Sequence, residues 1–471
     1  MPSNSTRSRR LSRAALNSRL IGLYHIFLRR ALQHFFPDAI LETPDDRSFI
    51  DLQVTDDRFS YRISDDPDGF GLAIDWFKTR YLFQPGSPKP FSAAERKLIG
   101  VAVNTLVERF RGLYEHDAVH RAERFHYAAE DVIISEFMEM ENPNRLSSAL
   151  EAMRVSALST YENRRLSTGA LLLGTPNDPA WPGWTNPEGA PRFNVRLTAI
   201  KGFHRLCDGV DTVFLVDREG DLARAIDIHA WAERTQGPGP TSVPCPRDFH
   251  SHAKATLSGG HICVVLTPSQ EIKIFADGVM AFAFSDARWR LLDIATKFDL
   301  WCSALGATKP ADLADRIFRA ALNLSEDRKG ALFVVLRDPA ASIPLLIAAG
   351  DRIIDEGESA DDPNDLDNLS PILAKRALHH IVHGLSIVDL DLSLLEAIAG
   401  LDGAVVTDLD GRLITFGAIL RVGPDTQQFA RAVEGARTVA ALAASFHGPV
   451  LKVSEDGYIT MFLGGRRVWE L

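Results

Sequence analysis

Eight glycines and prolines fall between residues 172 and 192: Gly174, Pro176, Pro179, Pro182, Gly183, Pro187, Gly189 and Pro191. Proline removes a backbone donor and glycine favours the unfolded chain, so neither a helix nor a strand can run through this stretch. It divides two kinds of pattern. Before it, over about residues 8–165, apolar residues recur at helical spacing. Ser92-Ala-Ala-Glu95 reads as a capping box ahead of Leu98, Ala102, Leu106 and Phe110, and Ser148-Ala-Leu-Glu151 reads as a second box opening a helix through Met153 and Leu158.

After it, short apolar runs separated by turns predict strand pairs. Val213–Val216 pairs with Ala223–Ile228 across Arg218-Glu-Gly-Asp221, and Ile262–Leu266 pairs with Glu271–Phe275. Gly237-Pro-Gly-Pro240, Pro244 and Pro246 break the chain between them. Helix returns over 290–323, Gly330–Leu336 reads as a buried strand, and residues 351–367 hold eight acids in a solvated loop. The last hundred residues alternate helix and strand. These patterns predict an α/β chain, α+β overall, in three parts: a mainly helical region over 1–170, a hairpin-rich α+β segment over 195–310, and a mixed sheet flanked by helices over 311–471.

At 45% hydrophobic and 24% charged positions the 471-residue chain has enough apolar material for sizeable cores, and disorder is excluded as its main state. No apolar run reaches membrane-spanning length. A net charge of −10 argues against a general nucleic-acid-binding surface. The first 30 residues depart from that balance, with Arg7, Arg9, Arg10, Arg13, Arg19, Arg29 and Arg30 and no acid. An organelle transit peptide, a nucleic-acid arm and a basic helix all fit. The spacing of Leu16, Leu20, Leu23, Phe27 and Ala31 favours the helix, and nothing there reads as a secretory signal. Cys207, Cys245, Cys263 and Cys302 form no Cys-x-x-Cys pair, so a reducing compartment is expected, the cytoplasm by default.

Two histidine groupings have metal-compatible spacing. His116, His120, Glu123 and Glu130 share one helical stripe, and His379 and His383 are four apart. A solvated polar face is the simpler reading of both, with a metal site as the alternative. No Walker loop, Gly-x-Ser-x-Gly elbow or His-Glu-x-x-His occurs.

The end of the chain carries more. Leu401-Asp-Gly-Ala-Val-Val-Thr-Asp408 leads through an Asp-Gly turn into Leu413–Leu420, which predicts strand, turn, strand with Asp402 at the start and room at Gly403 and Ala404 for a close approach to the backbone. Glu434-Gly-Ala-Arg-Thr-Val-Ala440 opens a helix with a glycine and an arginine, a pattern suited to an anion. Val453-Ser-Glu-Asp-Gly-Tyr-Ile-Thr-Met-Phe462 predicts a final strand pair. A small structural domain with ordinary hairpin turns would look the same.

The order of these pieces resembles the diadenylate cyclase (DAC) domain, the nucleotide-binding domain of DNA-integrity-scanning proteins. Asp402-Gly403-Ala404 matches its Asp-Gly-Ala motif. Gly435-Ala436-Arg437-Thr438-Val439 occupies its Gly-Thr/Ser-Arg-His-Arg motif, and Val453-Ser454-Glu455-Asp456-Gly457 its Val-Ser-x-x-Gly strand end. Gly330–Val335 is similar to an early strand of the family, and Gly465 with Val468-Trp469 looks like the tail of sensor-fused members. The resemblance covers about residues 311–471. Upstream, Gly259-Gly260-His261, Phe275-Ala-Asp-Gly278 and Arg288-Trp289-Arg290-Leu-Leu-Asp293 look like the DACNV-type sensor segment that precedes such domains.

The resemblance implies a homodimer in which two bound ATP molecules face each other and condense into cyclic di-AMP with release of two pyrophosphates, helped by Mg²⁺ or Mn²⁺. It implies that Asp402, with Gly403 and Ala404, lies at the reacting hydroxyl. Gly435, Ala436, Arg437 and Thr438 would cradle the triphosphate, Ser454 and Glu455 would line the pocket, and Asp402 and Glu455 would hold the metal. Ala436, Thr438 and Val439 depart from the motif, removing a hydroxyl, an imidazole and a guanidinium. The implied activity is therefore a weak or altered cyclase, or a nucleotide-binding sensor without turnover. Arg431, Arg466 and Arg467 are the candidates to replace the missing cation.

Overall fold

The computed structural model describes residues 23–42, 60–66, 69–76, 79–86, 89–112, 125–138, 142–174, 189–200, 202–237, 239, 241–306, 311–348, 351–353, 379–382, 384–423 and 435–471. Arg7 to Arg19, His116, His120, Glu123, His383, Arg431, Glu434 and most of the acidic stretch lie outside them. Packing divides the chain into two units, Met1–Pro240 with Ser251–Asp293, and Thr241–His250 with Ile294–Leu471.

The first unit starts with a helix over residues 23–35 (α1), in line with the spacing of Leu23, Phe27 and Ala31. Strands β1 (Ile40–Glu42), β2 (Tyr61–Asp65), β3 (Leu72–Trp76) and β4 (Thr79–Gln84) then form an antiparallel sheet ordered β1-β4-β3-β2, where the sequence predicts mainly helix. Leu72, Ile74 and Trp76 of β3 and Tyr81 and Phe83 of β4 alternate into the core, but over strands of only five and six residues, too short to stand out beside the long helical patterns. Helices α2 (Ala93–Gly112), α3 (Ala129–Phe137) and α4 (Pro143–Ala157) follow. The first capping box forms: the Ser92 N–H donates to Glu95 Oε2 at 2.8 Å and the Glu95 N–H to Ser92 Oγ at 3.2 Å. The second does not. Proline's preset φ starts α4 at Pro143, which leaves Ser148 inside the helix, its hydroxyl donating to the Phe193 carbonyl at 3.3 Å.

A seven-stranded sheet completes this unit, ordered β13-β12-β11-β10-β7-β8-β9. Its strands, after the short hairpin β5 (Thr160–Tyr161) and β6 (Arg164–Arg165), are β7 (Thr168–Leu172), β8 (Thr212–Val216), β9 (Leu222–Asp227), β10 (Ile262–Leu266), β11 (Ile272–Ala276), β12 (Val279–Ser285) and β13 (Arg288–Leu291). Both predicted strand pairs, β8 with β9 and β10 with β11, are antiparallel neighbours. Ala170, Leu172, Phe214, Val264 and Ile274 of this sheet share one core with Ile99, Val103, Ile133, Leu150 and Met153 of the helices and Ile74 and Phe83 of the smaller sheet. The helical and hairpin-rich segments, expected as separate parts, thus bury their apolar faces together.

The second unit contains α5 (Ile294–Leu305), α6 (Ala311–Glu326), β14 (Ala331–Leu336), α7 (Pro339–Leu346), α8 (Leu392–Ala399), β15 (Ala404–Asp408), β16 (Leu413–Ala418), α9 (Ala436–Ala444), β17 (Val450–Val453), β18 (Ile459–Leu463) and β19 (Arg466–Glu470). Its sheet is ordered β16-β15-β14-β17-β18-β19, parallel between β14 and β15 and antiparallel elsewhere. Leu332, Val334, Val406, Val450 and Phe462 form a core with Ala441 and Ala444 of α9 on one face, while α6 and α8 pack on the sheet as well. This is the mixed, helix-flanked sheet the sequence predicts. Segment 241–250 belongs here because the Arg247 N–H donates to Asn323 Oδ1 at 2.8 Å and its guanidinium to Glu396 Oε2 at 3.3 Å.

One buried acid ties the first unit together. Asp131 Oδ1, on α3, accepts from Arg154 Nη2 of α4 at 2.7 Å and from Trp289 Nε1 of β13 at 3.2 Å. Burial pushes the carboxyl up to about 6 even though both donors favour its ionised form. Folded protein therefore holds a proton here that the unfolded chain has already released, so the contribution is present at low pH and is lost as pH rises through about 6. We expect Asp131→Asn to remove a pH-dependent component of about 3 kcal/mol between pH 4 and 7, read by denaturant unfolding across that range. A variant with the wild-type slope would show that Asp131 does not titrate there.

Candidate functional site

Because β14 and β15 run parallel and β17 runs antiparallel beside β14, the starts of the first two strands and the end of the third lie at one edge of the sheet. Gly330, Asp402 and the pair Ser454-Glu455 therefore meet there. Helix α9 begins at the same end, capped at Gly435 without a side-chain hydrogen bond. Arg437, in its first turn, joins the three segments: Nη1 donates to Glu455 Oε1 at 3.0 Å and Nη2 to Asp402 Oδ1 at 3.4 Å. The guanidinium is 30% exposed, Glu455 74% and Asp402 99%, so water screens both acids and the pairs hold Arg437 only loosely.

The other predicted residues have mixed placements. Ala404 is buried in the sheet core rather than facing the cluster. Gly403 has φ +111°, and a Cβ there would lie 2.4 Å from the Gly417 carbonyl carbon, so what approaches its backbone is β16. Ser454 closes a turn: its N–H donates to the Tyr458 carbonyl at 2.9 Å and its Oγ accepts from the Tyr458 N–H at 3.1 Å. Ala436 is the first residue of α9, and the Thr438 N–H already bonds the Gly435 carbonyl at 3.1 Å. Of the two described arginines expected to compensate, Arg467 pairs with Glu470 at 3.4 Å and Arg466 is exposed on β19.

Sequence reasoning missed Lys452. Its ammonium, from β17, donates to Thr438 Oγ1 at 2.9 Å. The signal was a charge inside the otherwise apolar run Val450-Leu-Lys-Val453, whose other three residues are buried. Burial lowers the ammonium's pKa, Glu470 and Asp456 oppose that, and the positive charges of Arg467 and Arg437 reinforce it.

Among the described residues no group of three His, Cys, Asp or Glu side chains is placed to hold an ion, and His116, His120, Glu123 and His383 lie outside those residues. His379 is buried, its Nε2 3.1 Å from the Phe416 carbonyl, and does not lie on a polar face. Cys207, Cys245, Cys263 and Cys302 are free thiols. No described helix is long and apolar enough to cross a membrane.

No family profile matches the chain and no curated protein matches it. Among solved structures it is similar to a hypothetical membrane spanning protein from Bacillus cereus, at 22% identity and a TM-score of 0.25, over 36% of this chain and 69% of that one. It is also similar to a double mutant of DacA from Staphylococcus aureus, at 20% identity and a TM-score of 0.18, over 32% of this chain and 83% of that one. Neither TM-score is high enough to establish a shared fold.

Two glycines at the site should respond differently to a methyl group. At Gly330 a Cβ would fall 2.0 Å from Arg437 Nη1, the movable end of a long side chain, whereas at Gly403 it meets backbone. Gly403→Ala should cost about 2–4 kcal/mol through its positive φ and the clash, and Gly330→Ala under about 1 kcal/mol. Equal losses in urea unfolding would contradict this arrangement.

Proposed function

We propose that the second unit is a DAC-like nucleotide-binding unit that takes ATP with its triphosphate at the start of α9, and that paired copies condense two ATP into cyclic di-AMP and two pyrophosphates. The observation that carries the reading is the convergence of Asp402, Arg437 and Glu455, from three motifs distant in sequence, on one guanidinium. A structural domain with ordinary hairpin turns has no need to bring those three side chains together.

The chemistry follows from the charges. Arg437 and Lys452 would face a triphosphate at the positive end of the helix. Asp402 and Glu455 would repel it unless a divalent cation intervenes. Two exposed carboxylates beside a phosphate suit Mg²⁺ or Mn²⁺, which take few protein ligands and complete their shell with water and phosphate oxygens. Such an ion would neutralise the phosphates and favour ionisation of the attacking ribose hydroxyl. With the carboxylates so engaged, Arg437 turns its donors to the phosphates, while Asp402 remains next to the hydroxyl.

A second reading, a sensor that binds ATP without turnover, is favoured by Thr438 and Val439, which supply neither an imidazole nor a guanidinium. Incubation of the purified chain with ATP and Mn²⁺ or Mg²⁺, followed by mass spectrometry, separates the two. Cyclic di-AMP is expected, and Asp402→Asn should abolish it while leaving ATP bound. Bound ATP without product selects the sensor. Arg437→Ala should weaken ATP at least about tenfold, since a charge-assisted hydrogen bond contributes about 1.5–3 kcal/mol. Unchanged affinity by calorimetry would remove Arg437 from the site.

A further inference from the structure

We infer that Lys452, acting with Thr438, is the second phosphate-binding cation of this site and sets its preference for polyphosphate over monophosphate ligands. The inference rests on the nucleotide-binding reading above and adds a residue that no motif supplies.

Placement is the first argument. Lys452 pairs with Leu332 of β14 on one side and Thr460 of β18 on the other, on the sheet face that packs against α9. A cation on such a face loses hydration and needs a compensating partner. The partner it has is neutral: the Thr438 hydroxyl at 2.9 Å. Glu470 and Asp456 supply negative charge nearby, but Glu470 is itself taken up by Thr460 at 3.3 Å and Arg467 at 3.4 Å.

The field is the second argument. Lys452 reaches the first turn of α9, the positive end of the helix, where Arg437 already stands. Asp402 and Glu455 already pair with Arg437 there, whereas Lys452 bonds no carboxylate among the described residues, and both Arg437 and the helix dipole oppose its charge. The arrangement becomes favourable when an anion sits between the two cations. Thr438 completes it, because a hydroxyl that accepts from Lys452 directs its own proton elsewhere, to a phosphate oxygen.

The test is calorimetric titration of the full chain with ATP, AMP and inorganic tripolyphosphate in the presence of Mg²⁺, for wild type, Lys452→Gln, Lys452→Arg and Thr438→Val. Lys452→Gln should weaken ATP and tripolyphosphate about tenfold and AMP far less, from the loss of one charge-assisted hydrogen bond. Lys452→Arg should restore most of the affinity, and Thr438→Val should lose a smaller part. Thermal melts of each variant separate a binding effect from unfolding. Unchanged tripolyphosphate affinity in a folded Lys452→Gln protein overturns the inference, as does an equal loss for AMP and ATP. If wild type binds tripolyphosphate but not ATP, and Lys452→Gln loses it, the nucleotide reading fails while the cation assignment stands. If wild type binds neither, both fall.

Discussion

The parallel pairing of β14 with β15 is the constraint on which the second unit depends. Parallel neighbours cannot be joined by a tight hairpin, so the chain must leave the end of β14 and return to the edge where it began. That return delivers Asp402 beside Gly330. The antiparallel β17 then ends at the same edge, bringing Glu455, and α9, which precedes β17, starts there. Open parallel sheets generally hold ligands beyond the carboxyl ends of their strands. Here the cluster lies at the amino ends of β14 and β15, because the helix that starts at this edge leads into an antiparallel strand.

The charged groups at that edge differ in how far they reach into water. Asp402 and Glu455 extend into water, which screens them, whereas Arg437 and Lys452 are partly withdrawn from it. On the proposed reading, the acids at the rim are the reason an anion would need an accompanying metal ion.

Much of this was legible in the chain. The Ser92–Glu95 box, the hairpins of β8–β9 and β10–β11, the buried β14 and the turn-linked pairs at the end all announce themselves through local rules of capping, alternation and turn chemistry. What failed had equally local causes. The alternation of β3 and β4 runs over only five and six residues, and the Ser148 box was overridden by Pro143 five residues earlier. The surroundings of Gly403 and Ala404 are a separate matter: the first accommodates β16 and the second packs in the core, which sheet packing decides and no local pattern shows.

Sequence alone located β14, the β15–β16 and β17–β18 pairs and the start of α9, because turns, caps and apolar runs act over a few positions. It also placed Asp402, Arg437 and Glu455 among the candidates. Only the tertiary structure decided that these three share one guanidinium and that Lys452 stands behind Thr438. Those contacts span 14 to 35 residues, and they exist because strand order, which no local pattern encodes, sets β14 between β15 and β17.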